Sequence, residues 1–180
     1  MKKTYILTLA LILNTLIVLG QTQRTQGKII PDFGQTFEVE NPEIKTDTNT
    51  QLKVIFDVSK SPEDVTQINS YLVTAARFLN MHADAGMNLD QLSVAITVHG
   101  SAWKDMLTDE VYMEKYGSKN PNSELLNQLN TAGVDIIMCG QTAAYRKVSK
   151  SDCNTSVKFA LSAMTALIQF QNNGYRFIKF

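Results

Sequence analysis

The chain has 180 residues, with 17 Lys and Arg set against 17 Asp and Glu, so its formal net charge is zero. No segment gathers Lys and Arg into the stripe that neutralises a phosphate backbone, which argues against nucleic acid as a partner. Two cysteines and two histidines at these separations match no zinc spacing, so neither a metal site nor a cofactor is expected.

The N-terminus reads Lys2-Lys3, then an apolar run over residues 5–19 broken by Thr8, Asn14 and Thr15, then Gly20-Gln21. A basic start, a short apolar centre and a small residue before the cut predict a signal peptide over residues 1–20. The alternative, a retained anchor, needs about 20 mostly apolar residues, and the interrupted run falls short of that. No Cys follows it, so no lipoprotein is suggested. The expectation is an exported protein, periplasmic or secreted, with no stable membrane anchor after cleavage. Losing Lys2 and Lys3 leaves the mature form slightly acidic, and its about 160 residues suit one domain with a core of its own.

Residues 21–51 are polar, carry Pro31 and Pro42, and hold no sustained period, which predicts an N-terminal arm. Its short apolar patches, Lys28-Ile29-Ile30 and residues 33–39, could pack on the domain or on a neighbouring subunit. The domain itself is expected over residues 52–180. Residues 52–58 (LKVIFDV) are β-branched and aromatic and short enough for a buried strand. Ser61-Pro62-Glu63-Asp64 then offers a capping Ser, a Pro at the first helical position and acids at the positive end of a helix dipole. A helix is predicted to start there, with Val65, Ile68, Leu72, Ala75, Ala76 and Leu79 as its buried stripe, and to end at Gly86. The pattern repeats. Residues 92–98 (LSVAITV) form a strand ending in His99-Gly100, and helices follow over 109–116 and 121–132, the second stopped by Gly133. Residues 134–138 (VDIIM) form a third strand ending in Cys139-Gly140, and residues 157–161 a fourth. Ser162 caps a helix with Met164, Leu167 and Ile168 inward, ended by Asn173-Gly174, and residues 175–179 close as a fifth strand. Strands alternating with helices predict an α/β fold with a mainly parallel five-stranded sheet covered on both faces. Neither GxGxxG nor GxxxxGK[ST] occurs, so nucleotide chemistry has no support.

Ligands of open parallel sheets bind beyond the carboxyl ends of the strands. Cys139 and His99 end two of them, and Trp103 follows His99 within a turn. Cys139 precedes a short helical stretch over residues 142–146, where the dipole would favour a thiolate; it is equally read as a small buried hydrophobe. Gly140 would leave space for a second sulfur or a partner's backbone. Arg146 or Lys147 could stabilise anionic sulfur if turned toward the loop, and Gln141 completes the candidate substrate-binding set with Gly140, Trp103 and Arg146. His99 is either an acid or base titrating near neutrality or a ring bonded to backbone at a strand end. Trp103 reads as a packing or interface residue before it reads as a stacking platform. Cys153 could bridge to Cys139 or resolve an oxidised form of it, although the two loops emerge at opposite phases of one crossover.

The residues from 52 to 180 resemble the DsrE/DsrF-like family. The resemblance rests on Val98-His99-Gly100, on Met138-Cys139-Gly140-Gln141, and on Ala163-Met164-Thr165-Ala166-Leu167 with Gln171-Asn172-Asn173-Gly174-Tyr175. It implies a three-layer α/β/α fold, assembly into trimers or hexamers, and sulfur relay through a Cys persulfide, with Cys139 as the sulfur-accepting residue. The relay members are cytoplasmic, whereas export is expected of this chain. Three functions follow: a sulfurtransferase-like carrier serving donor and acceptor proteins, a non-catalytic oligomeric binding module lined by His99, Trp103 and Cys139, or a thiol redox sensor through Cys139 and Cys153.

Overall fold

The computed structural model describes residues 24–179; the expected signal peptide, residues 1–20, lies outside the described residues. The domain is built on one sheet. Strands β3 (Leu52–Val58), β4 (Leu92–Val98), β5 (Asp135–Cys139), β6 (Val157–Ala160) and β7 (Arg176–Ile178) lie in the order β6-β5-β4-β3-β7, and every neighbouring pair is parallel. The apolar runs dictate this. Strands in the middle of a parallel sheet are buried on both faces, so β3 and β4 are mostly apolar, with Lys53, Asp57, Ser93 and Thr97 as the exceptions.

Alternation of side chains divides the core in two. Val54, Phe56, Val94, Ile96, Ile136 and Met138 pack against helices α1 (Ser70–Asp84) and α3 (Ser123–Thr131), through Leu72, Ala76 and Leu79 of the first and Leu125, Leu126 and Leu129 of the second. Ile55, Ala95 and Ile137 point the other way, onto Ala166 of helix α5 (Ala163–Asn172). The result is the expected three-layer α/β/α architecture, with one face thickly covered and the other covered by α5. Helices α2 (Asp109–Tyr116) and α4 (Gly140–Arg146) complete the set.

Two helical expectations need correction. Helix α1 begins at Ser70, not at Ser61. Ser61 gives its hydroxyl to Asp105 (2.7 Å) instead of capping, and Asp64 closes a local turn onto Thr66. Asn69 caps the helix, accepting the Tyr71 N–H (2.9 Å) while its amide donates to Asp105 (2.7 Å). In α5, Met164 and Ile168 point outward, 72% and 58% exposed, while Ala163 and Ala166 face the sheet. The helix carries two apolar stripes, and the one with small side chains lets it lie close.

The arm is tied down. Its strands β1 (Arg24–Thr25) and β2 (Thr36–Phe37) pair antiparallel, Ile30 enters the main core, and Asn80 of α1 binds the backbone between them.

Asp105 lies in a buried polar cluster that joins the loop after β3, the 3₁₀ segment Gly100–Met106 and the loop before α3. Ser61, Asn69 and Asn122 donate to its carboxylate, and Asn120 donates to its backbone carbonyl. Burial is the larger influence and outweighs the donors, pushing its pKa up to about 6 from 3.8. A raised native pKa means the contribution to stability is complete below about 4 and is lost as the pH rises through about 6. The protein is therefore expected to be more stable to urea at pH 5 than at pH 7.5, by about 1.4 kcal/mol. Asp105→Asn should flatten that slope; a slope that survives the substitution would assign it elsewhere.

Candidate functional site

At the carboxyl ends of the strands, register and pleat bring Asp57, Thr97, His99 and Cys139 onto the face that α5 covers. Asp57 is level with Thr97, Val98 with Met138, and Cys139 with Ala160. His99 keeps an extended backbone (φ −152°, ψ −165°) directly beyond the end of β4.

Cys139 is the last residue of β5 and the N-cap of α4, with no loop between the two elements. The first N–H groups of a helix lack partners inside it. The residue is 6% exposed, and its side chain makes no capping hydrogen bond to α4; burial works against ionisation, but the nearby N–H and hydroxyl of Thr142 and the N–H groups of Ala163 and Gln141 favour the thiolate. Those donors prevail and hold the thiol below its ordinary pKa. Ala163 opens α5, so the thiol sits between the starts of two helices.

Gly140 does not leave the space expected of it. A Cβ there would lie 2.6 Å from the Ala160 carbonyl oxygen and 3.1 Å from that of Leu161, so the end of β6 fills the room. Glycine is needed for that close approach. Gln141 donates from its amide to the Leu161 carbonyl (3.4 Å), clamping the same turn from outside.

Of the two alternatives drawn for His99, the ring bonded to backbone is not what the structure shows. Its Nε2 meets Asp57 Oδ1 at 2.9 Å, a carboxylate rather than backbone. Asp57 also takes Lys179 Nζ at 2.8 Å and the Thr97 hydroxyl at 3.2 Å. Burial raises the Asp57 pKa, yet the bond from Lys179, the charges of His99 and Lys179 and the Thr97 bond together bring it below the usual carboxylate value. Asp57 and Lys179 escaped the sequence reading. A carboxylate inside the otherwise apolar LKVIFDV was the available signal for the first.

Trp103 and Arg146 meet each other rather than the thiol. The guanidinium lies 5.8 Å from the Trp103 ring centroid and 5.3 Å from that of Tyr145. Arg146 ends α4, about 9 Å along the axis from its first residue, and Lys147 leaves the helix in the left-handed region (φ 56°). Cys153 is buried in the main core on the opposite face of the sheet, where burial, with Asp152 adding, pushes its thiol up to about 11 against the opposing charge of Lys150. Both cysteines are free. Among the described residues, no group of three His, Cys, Asp or Glu is placed to hold a metal, and no helix is long and apolar enough to cross a membrane.

Residues 53–180 match the model of the DsrE/DsrF-like family. A protein of unknown function, MTH1491 from Methanobacterium thermoautotrophicum, has a solved structure with the same fold, at 16% identity and a TM-score of 0.55, covering 72% of this chain and 100% of that one. The ychN protein from E. coli is similar at 15% identity and a TM-score of 0.53, with the same coverage of 72% and 100%. No curated protein matches the sequence.

Proposed function

The chain belongs to the DsrE/DsrF-like family, and on that premise we propose that it is a sulfur-relay protein that carries sulfane sulfur as a persulfide on Cys139. The observation that carries this reading is the placement of Cys139 where β5 passes directly into α4, beside Thr142, Gln141 and Ala163, whose polar groups favour its thiolate. A thiolate held by fixed N–H groups attacks the terminal sulfur of a donor persulfide, the donor S–S bond breaks, and the donor leaves as its thiol. The new Cys139 persulfide, a stronger acid than a thiol, stays anionic against the same donors until an acceptor thiolate takes the outer sulfur.

Donor and acceptor must approach beside α5, where Leu161, Met164 and Ile168 form an exposed apolar stripe next to Ala163. That stripe also supports assembly of copies of this chain into a trimer or hexamer, since a contiguous apolar face is normally covered. The basic and apolar start of the sequence supports a periplasmic or secreted location. A non-catalytic binding module of the same fold is favoured by one observation, the slight exposure of Cys139. Placement of Cys139 and Cys153 on opposite faces of the sheet speaks against redox sensing through their pairing.

Incubation with a low-molecular-weight persulfide is expected to add one sulfur atom to the peptide containing Cys139, removable by dithiothreitol and absent from Cys139→Ser. Equal sulfur on the Cys139→Ser protein would end this reading and leave the binding module.

A further inference from the structure

We propose that residues 38–47 of each copy of this chain dock in the groove between α1 and β7 of a second copy, the apolar side chains of the segment entering the groove and its carboxylates meeting arginines at the rim. The contact is independent of the chemistry of Cys139. It joins two features that have no counterpart within one chain.

The first is the groove. Helices α1 and α3 lie over β3, β4 and β5, and β7 extends the sheet beyond β3 as an edge strand. Neighbours in register point to the same face, so Ile178, level with Phe56, and Arg176, level with Val54, lie on the α1 side of the sheet, and both stay exposed past the flank of that helix. A cavity of about 660 Å³ follows, lined by Phe56 and Ile178 of the sheet and by Tyr71, Phe78 and Met81 of α1, with Arg77 at its edge. No carboxylate lines it, and among the described residues neither Arg77 nor Arg176 has an ion pair. A contiguous apolar surface rimmed by polar groups marks a contact site.

The second is the segment. Ile30 and Phe33 of the arm pack on the chain's own domain, but every residue from 38 to 47 is exposed, Val39 at 70% and Ile44 at 92%. Residues 39–46 make no hydrogen bond or ion pair among the described residues. Glu38, Glu40, Glu43 and Asp47 stand there against one cation, Lys45, so the segment is acidic as well as apolar. Groove and segment complement each other in both respects, which selects this chain's own arm over a basic or a wholly apolar occupant. The arm is held at both ends, by the β1–β2 pairing and by the Gln91 side chain on the Thr48 carbonyl (2.7 Å), and a ten-residue loop so anchored projects as far as about 16 Å. Two copies that each give an arm and a groove close into a symmetric pair. The exposed stripe of α5 lies on the opposite face of the sheet, so the two contacts do not compete.

A photoreactive benzophenone amino acid in place of Ile44 tests the contact. Irradiation is expected to give a covalent dimer on a denaturing gel, with peptide mapping joining position 44 to Phe78, Met81 or Ile178. Reversing the rim charges with Arg77→Glu and Arg176→Glu should cut the yield of that cross-link at least about tenfold, and adding Glu40→Lys and Glu43→Lys should recover most of it. All four side chains are exposed, and an unchanged far-ultraviolet spectrum checks that the fold is intact. Cross-links confined within one chain, a covalent dimer joined away from the groove, or no covalent dimer at all overturns the proposal. So does a yield that ignores the arginine reversals or is not recovered by the exchanged charges.

Discussion

Brief treatment with iodoacetamide at about pH 7.5 is expected to label Cys139 and spare Cys153, with rates at least about 100-fold apart. The reagent attacks thiolate only, so the ratio combines ionised fraction with access. Cys153 is pushed up to about 11 by burial, so at that pH only about one molecule in three thousand carries its thiolate. It also lies in the main core, where its backbone forms an isolated bridge with Leu107. Cys139 differs on both counts. Its neighbours hold it below the ordinary thiol value, and it lies at the carboxyl end of the sheet, where β5 passes into α4, rather than within the main core. Peptide mapping after a timed reaction gives the answer, and addition of guanidinium should bring Cys153 up to the ordinary rate. Comparable labelling of both cysteines in the native protein would mean that the Cys139 sulfur is not anion-stabilised and that the relay proposal has lost its chemical basis.

Asn80→Ala is expected to lower the stability of the domain by about 4 kcal/mol, because one side chain satisfies five backbone contacts of the arm. Asn80 is buried in α1 and serves as a spool for that segment. Its Oδ1 accepts the N–H groups of Ile29 (3.0 Å) and Ile30 (2.9 Å), and the two N–H groups of its Nδ2 are shared among the carbonyls of Ile30 (3.0 Å), Phe33 (2.9 Å) and Gly34 (3.1 Å). Truncation strands several backbone groups at once, and Ile30 loses the frame that holds it in the core. The arm also needs Gly34, whose φ of +68° and approach to α1 (a Cβ would stand 2.3 Å from the Arg77 nitrogen) admit no side chain. Urea unfolding should show the lower midpoint, and limited trypsin digestion should cut first at Lys28 in the variant but not in the parent. A change below about 1 kcal/mol would show that water replaces the amide at little cost.

Strands were readable because burial on both faces demands short, mostly apolar runs rich in β-branched residues; residues 52–58 and 92–98 became β3 and β4 without adjustment. The start of α1 was not readable. Ser61 and Asn69 are both competent caps, and the choice between them is made by Asp105, 44 and 36 residues away in sequence. The inward face of α5 was misjudged because hydrophobicity ranks Met164 and Ile168 above Ala163 and Ala166, whereas packing on a sheet ranks by fit. At the site, Cys139 was visible from its position after a strand. Its donor from Ala163 was hidden, since it depends on how α5 crosses the sheet. The Asp57–His99 pair was hidden for a similar reason, needing the register of β3 against β4, and Lys179 needed β7 to insert beside β3.

The path of α5 ties those hidden parts together mechanically. Between β6 and β7 the chain must traverse the full width of the sheet, four strand spacings or about 19 Å. Helix α5 lies within that return, with Ala163 beside Cys139 at its leading end and, past its trailing end, the strand followed by Lys179, which reaches Asp57. A substitution that re-seats α5 on the sheet should therefore disturb the thiol and the Asp57 pair together.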